Sequence, residues 1–215
     1  MGLATWWDER VLPRVIDAAM NERSTATWRR TVCADLVGDV LELGFASGRN
    51  LPHYPATVDR VLAVEPADLA WERAAPRVAA FPGEVLRVGL DGAALSMPDA
   101  SVDAVVSTWT LCTIPDLSSA LEEVRRVLRP GARLHFVEHS LAPSGRVLAA
   151  QKRIQPAWGR FAGGCHLDRD IVGLLETAGL QVDVTYAGYI SPGPAKPWGY
   201  FVTGSAAAAA AVADD

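Results

Sequence analysis

"VLELGFASGRN" (residues 40–50) is the stretch whose reading decides the fold. A strand-like run from Val40 to Leu43 passes straight into a loop of small residues, Gly44 to Gly48. In α/β sheets, ligands sit outside the carboxyl ends of strands at such a loop. Gly44 suits a positive φ, and Gly48 lets a following helix begin close to the strand. The first helical N–H groups would then point at whatever is bound.

The pattern continues outward from there. "DVLELG" (39–44), "RVLAVEP" (60–66), "EVLRVGL" (84–90), "VDAVVST" (102–108) and "RLHFVEH" (133–139) predict five strands, with two more at about 181–188 and 198–204. Helices are expected at 6–20 and 23–36. Another is "DLSSALEEVRRVLRPG", capped by Asp116 and stopped by Pro130-Gly131. "DRDIVGLLETAG" (168–179) is a further helix, from Asp168 to Gly179. Strand-helix alternation with nearly continuous apolar strands implies an α/β parallel sheet covered on both faces. The organisation expected is an N-terminal helical cap (1–36), one domain (37–204) and a low-complexity tail, "SAAAAAAVADD" (205–215).

Composition narrows the function. The 215 residues carry a net charge of −5 and no Lys/Arg run, the profile of a poor nucleic-acid binder. Cys33, Cys112 and Cys165 are far apart without a CxxC pair, so neither a disulfide framework nor a structural zinc site is expected, and no metal is assigned. "MGLATWWDER" has no apolar h-region, and no run approaches the roughly 18 apolar residues of a membrane span. A cytoplasmic protein without a stable membrane anchor is the expectation.

Two acids complete the loop. Glu65 ends the second strand, where a carboxylate accepts hydrogen bonds from both ribose hydroxyls. Asp91, in "LDGAAL" after the third strand, is placed to accept from the exocyclic amine of adenine, with Leu95 and Met97 flanking the ring. A dinucleotide fingerprint from Gly44 would need a small residue at 49; Arg49 stands there and would crowd a pyrophosphate. The loop suits an adenosine ligand without one.

Together, "VLELGFASG", Glu65, "LDGAALSMPDASVDAVVS" and "ALEEVRRVLRPGARLHFVEH" resemble the class I S-adenosylmethionine-dependent methyltransferases. The resemblance implies a Rossmann-like, seven-stranded, mostly parallel sheet with a reversed last hairpin. It also implies S-adenosyl-L-methionine as cofactor, with S-adenosyl-L-homocysteine as product. The cofactor residues it implies are Glu42, Gly44, Phe45, Ala46, Gly48, Asn50, Glu65, Pro66, Asp91, Gly92 and Thr108, with Ala46 where the family usually has Gly. "LPRVIDAAMN", "NLPHYP", "WTLCTIPD", "FVEHSLAPSG" and "IQPAWGRFAGGCHLDRD" are similar to the small-molecule thiol methyltransferases of the methyltransferase-like group. That likeness implies a small, fairly apolar methyl acceptor, with a thiol first. A lipid-like amine, phenol or quinone, or a binding domain without turnover, are the alternatives.

For acceptor chemistry, His139 and His166 are the candidate bases, against a reading in which each bonds only locally. Trp7, Trp109, Trp158 and Phe161 are candidates for an apolar acceptor pocket, against simple core packing. The first helix is read as a lid or as a face for lipid. Cys112 and Cys165 are read as buried packing.

Overall fold

The computed structural model describes residues 6–20, 22–143, 145–190 and 193–208. A π-helical turn, Trp7–Val11, leads into α1 (Leu12–Ala19), and α2 (Glu22–Cys33) follows. After β1 (Gly38–Leu43) comes only a 3-10 turn, Leu51–His53, before β2 (Val58–Val64). The rest of the chain runs α3 (Asp68–Ala80), β3 (Glu84–Gly89), β4 (Val102–Thr108), α4 (Leu117–Val127), β5 (Leu128–His139), α5 (Gly145–Phe161), α6 (Ile171–Thr177), β6 (Leu180–Tyr189) and β7 (Tyr200–Ala208).

The strands form one sheet in the order β3-β2-β1-β4-β5-β7-β6. Strands β1 to β5 are parallel, and β7 runs antiparallel to both β5 and β6. Alternate residues of the inner strands feed opposite faces, as a pleated strand dictates. Leu41, Leu43, Leu62, Val64, Val105, Leu134 and Phe136 join the core beneath α4 and α6. Val40, Val61, Ala63, Ala104, Val106 and Val137 join the other core with Val32, Cys33 and Leu36. The α2 helix thus packs into the domain core, and the boundary expected after residue 36 does not separate a cap from it. The order of strands reverses between β1 and β4, which is where the cavity described below opens.

Several boundaries differ from the sequence expectations. Asp116 caps α4 as expected, its carboxylate accepting from the Ser119 N–H at 3.1 Å. The cap of α6 is Asp170, accepting from Gly173 N at 3.1 Å, and not Asp168. Ser205 to Ala208 belong to β7 rather than to a tail: Ala206 pairs with Leu134 and Val182 and is fully buried. An alanine run carries no strand signature, yet a central strand wedged between β5 and β6 accepts small side chains. Residues 209–215 lie outside the described residues.

Candidate active site

A cavity of about 690 Å³ opens over the carboxyl ends of β1, β2 and β4, within the range of about 300–1,000 Å³ typical of small-molecule sites. One side is built by backbone. Gly44 and Phe45 both donate their N–H to the Val64 carbonyl, at 3.0 and 3.2 Å, tying the loop to the end of β2. Gly44 has φ +66°, and a Cβ there would meet Thr110 Oγ1 at 2.2 Å, so only glycine fits. Ala46 also takes a left-handed conformation, φ +49°, and this aims its N–H at Glu65 Oε2, 2.7 Å away. Glu65 Oε1 accepts from Ala67 N at 2.8 Å. Burial pushes the Glu65 carboxyl up, and the two N–H donors act against it. A carboxylate offers about four lone-pair sites, so the side chain retains acceptor capacity toward the cavity that it lines.

Gly44, Phe45, Ala46, Glu65, Pro66, Asp91, Gly92 and Thr108 all line this cavity. Asp91 is exposed, its Oδ1 receiving Ala93 N at 2.9 Å. Leu95 and Met97 lie in or against the core and do not line the cavity; Leu90 and Ile114 do. Three other members of the expected set stand behind the wall. Glu42 is buried and accepts from Asn50 Nδ2 at 2.8 Å and from the Tyr54 hydroxyl at 2.5 Å. Asn50 Oδ1 in turn receives Arg29 Nη1 at 2.6 Å. Burial raises the Glu42 carboxyl to about 7, despite those donors and Arg29. Gly48, φ +71°, turns the loop through its N–H to Phe45 O and packs on the Phe45 ring. The expected helix after Gly48 is instead the single 3-10 turn Leu51–His53, which contains Pro52 and is followed by Pro55.

The other side is built by side chains from distant segments. Leu12, Pro13, Ile16 and Met20 of α1 and its end form one wall of the cavity. Asp17 ties α1 to the loop after β1 and to α3, accepting from Ser47 Oγ at 2.5 Å, Arg49 Nε at 2.7 Å and Arg73 Nη2 at 2.5 Å. Burial pushes the Asp17 carboxyl up, but these three donors outweigh it and hold it well below the usual carboxylate range. Arg49, which argues against a pyrophosphate, is therefore the partner that holds α1 through Asp17. Sequence reasoning missed Asp17; the available signal was an acid four residues after Pro13, on the apolar side of an amphipathic helix.

Trp109 lines the same side in a left-handed conformation, φ +56°, rare for a bulky residue and a mark of local strain. Its ring meets Phe201 edge-on at 5.8 Å, with the Arg29 guanidinium 5.2 Å from the ring centroid. Glu138 holds the turn that follows, its buried carboxylate accepting from Ser107 Oγ, Thr110 N and Cys112 N. That turn, through Thr110 and Thr113, forms wall. The histidine next to Glu138 does not: His139 lies beside Cys112 and Cys165 and edge-on to Phe201 at 4.5 Å. His166 sits with Nδ1 3.8 Å from Asp168 Oδ1, also away from the cavity. Both expected bases are thus displaced from the wall. Trp158 packs on Trp198 at 6.0 Å and against the core. Trp7 donates Nε1–H to Phe161 O at 3.3 Å outside the cavity, with the Phe161 ring exposed. Of the four expected acceptor aromatics, only Trp109 lines it. Among the described lining residues, no His, Cys, Lys or Tyr is present; the proton-accepting groups are Asp17, Glu65 and Asp91.

The chain is similar to known methyltransferases. The family described as "Methyltransferase domain" matches residues 41–136. The thiol S-methyltransferase TMT1B of Homo sapiens is 36% identical over 151 residues, which is 65% of this chain and 58% of that protein. The chain therefore spans little more than half of that relative's length. The phosphatidylethanolamine N-methyltransferase of Cereibacter sphaeroides is 31% identical over 164 residues, 73% of this chain and 75% of that protein. A solved SAM-dependent methyltransferase of Thermotoga maritima superposes with a TM-score of 0.65 at 19% identity, covering 93% of this chain and 99% of its own.

Proposed function

The chain belongs to the class I S-adenosylmethionine-dependent methyltransferases, and from that premise we propose that it methylates the thiol of a small, fairly apolar molecule. When bound, the cofactor supplies a sulfonium methyl as the electrophile. The chain's own residues hold, align and shield. Glu65 takes the ribose hydroxyls and Asp91 the adenine amine, while the turn from Gly44 to Ser47 carries the methionine part. The α1 lid excludes water, and Trp109 with Ile16, Met20 and Ile114 offers the acceptor an apolar wall. Alignment of nucleophile and methyl accounts for about 7–11 kcal/mol of a barrier when well made.

The observation that carries the thiol reading is the missing base. The acceptor side of the cavity presents no histidine, lysine or tyrosine among the described residues, and its one acid, Asp17, is committed to three donors. A thiol of pKa about 8.5 is already a few per cent thiolate at neutral pH and needs little help. The relationship to thiol S-methyltransferases supports the same acceptor.

A second reading is methylation of a lipid-like amine or quinone. It is favoured by the exposed Trp6, Val15 and Ile16 at the lid and by the phospholipid methyltransferase relative. Labelled-methyl transfer to a small alkyl thiol, dispersed phosphatidylethanolamine and a quinol separates the two. The thiol is expected to turn over fastest, with a rate rising toward the acceptor's own pKa. Absent thiol turnover with lipid turnover overturns the proposal. Cofactor binding by calorimetry with no transfer to any acceptor indicates a binding domain instead.

A further inference from the structure

Three side chains outside the cavity converge with no part in the chemistry above. Cys112 lies in the turn after β4, His139 ends β5, and Cys165 lies in the loop after α5. Cys112 Sγ is 3.8 Å from Cys165 Sγ and 3.8 Å from His139 Nδ1, and Cys165 Sγ is 3.7 Å from that nitrogen. The two sulfurs and the nitrogen form a nearly equilateral triangle, and both cysteines are buried.

We propose that Cys112, Cys165 and His139 form a three-ligand site for a thiophilic divalent metal, zinc being the ion whose dimensions it fits. Zinc bonds of about 2.3 Å to sulfur and about 2.0–2.1 Å to nitrogen, at tetrahedral angles, put two sulfurs ~3.8 Å apart and a sulfur ~3.6 Å from nitrogen. The observed sides of 3.8, 3.8 and 3.7 Å come close to these spacings. Cys, Cys and His are also the donor set that such an ion prefers. Metal entry displaces the thiol protons to solvent, so occupancy rises with pH.

The consequence is mechanical. Thr110, Thr113, Ile114, Ala162 and Gly164 line the acceptor side of the cavity, and Cys112 and Cys165 sit among them in sequence. An ion at the triangle ties the two lining loops to the end of β5. The spacing 112, 139, 165 carries no zinc motif, which is why sequence alone sets these cysteines aside. The site stands apart from the thiol-acceptor reading, because its readouts need no methyl acceptor.

The full chain, reduced and stripped of metal by a chelator, is titrated with Co²⁺ and separately with Zn²⁺. One equivalent of Co²⁺ is expected to give thiolate-to-metal charge-transfer absorption, which Zn²⁺ then abolishes by displacement. Zinc-edge X-ray absorption of the wild-type protein is expected to show two sulfur neighbours and at least one nitrogen. A shell of oxygen and nitrogen only, or no stoichiometric uptake, overturns the site without need of any variant. Cys112→Ser and Cys165→Ser are each expected to lower zinc affinity at least 100-fold, and Cys33→Ser, in the opposite core, to leave it unchanged. Equal loss in the Cys33 variant, or retention in both others, also overturns it.

Discussion

The two halves of the cavity are held by different physics. On the adenosyl side, the loop after β1 is fixed by main-chain groups: two N–H donors on Val64 O, and two more on the Glu65 carboxylate. On the acceptor side, the wall is a helix and two loops held by side chains, with Asp17 bonded to Ser47, Arg49 and Arg73. Main-chain bonds at strand ends inherit the rigidity of the sheet. Charged side-chain bonds, partly open to water, are worth less and open more readily. The difference fits the roles proposed: a cofactor site of fixed shape beneath a cover that must move for acceptor entry.

The harshest trial of this contrast is Glu65→Ala. The change removes the acceptor of two backbone N–H groups and the proposed ribose ligand together. Adenosylmethionine affinity by calorimetry is expected to fall at least ~100-fold, or about 3 kcal/mol, with the folded far-UV spectrum retained. A folded variant that binds the cofactor within a few-fold of wild type would remove the basis for assigning the adenosyl side.

Next in size is the buried support under the loop. Glu42 has a carboxyl raised from 4.5 to about 7 by burial. The folded state therefore holds a proton that the unfolded state has lost between those values. Stability from this group is present at acidic pH and declines as pH rises from about 4.5 to 7. Glu42→Gln keeps the shape and removes the titration. At pH 8 the variant is expected to be more stable than wild type, by about 3 kcal/mol at 1.36 kcal/mol per unit. Denaturant midpoints at pH 5 and pH 8 measure it, and parallel pH curves for the two proteins would refute the buried-acid account.

The same contrast explains what the sequence makes readable. Strands, the Asp116 cap, Gly44, Glu65 and Asp91 depend on neighbours within one strand-loop unit, so local pattern suffices. Asp17 and Arg49 stand 32 residues apart, and Cys112, His139 and Cys165 meet only through β4, β5 and a loop after α5. No local periodicity encodes such meetings. His139 illustrates the limit: the sequence places it at the end of β5, but only the fold brings Cys112 and Cys165 to its ring. The strand expected at about 198–204 is β7, but its end, Ser205 to Ala208, escaped notice for the opposite reason, since small residues suit a strand between two others without announcing one.

Asp17→Asn tests the lid at moderate cost. The amide keeps the shape but weakens the bonds from Arg49 and Arg73, a loss of about 1–2 kcal/mol in stability. Acceptor KM is expected to rise about tenfold, a change of ~1.4 kcal/mol, while cofactor affinity stays within about threefold. Steady-state kinetics with calorimetry on one preparation reads both. Equal weakening of cofactor and acceptor would erase the division between the halves. Because its donors hold Asp17 charged well below neutral pH, the wild-type lid should show no acidic limb in acceptor KM between about pH 5 and 7.

The smallest effect comes from Ala46, the residue standing where the resembling family usually has glycine. Its φ of +49° is a conformation that a side chain disfavours by roughly 1–2 kcal/mol. The structure shows what that conformation achieves: the Ala46 N–H reaches Glu65 Oε2 at 2.7 Å. Ala46→Gly relieves the strain but gives the unfolded chain more freedom, a cost of about 0.5–1 kcal/mol. The net expectation is a gain of about 0.5 kcal/mol in stability, with cofactor affinity within about twofold of wild type. A Cβ needed for cofactor contact predicts instead a tenfold loss of affinity at unchanged stability. That result would place side-chain recognition on the half of the cavity assigned to the backbone.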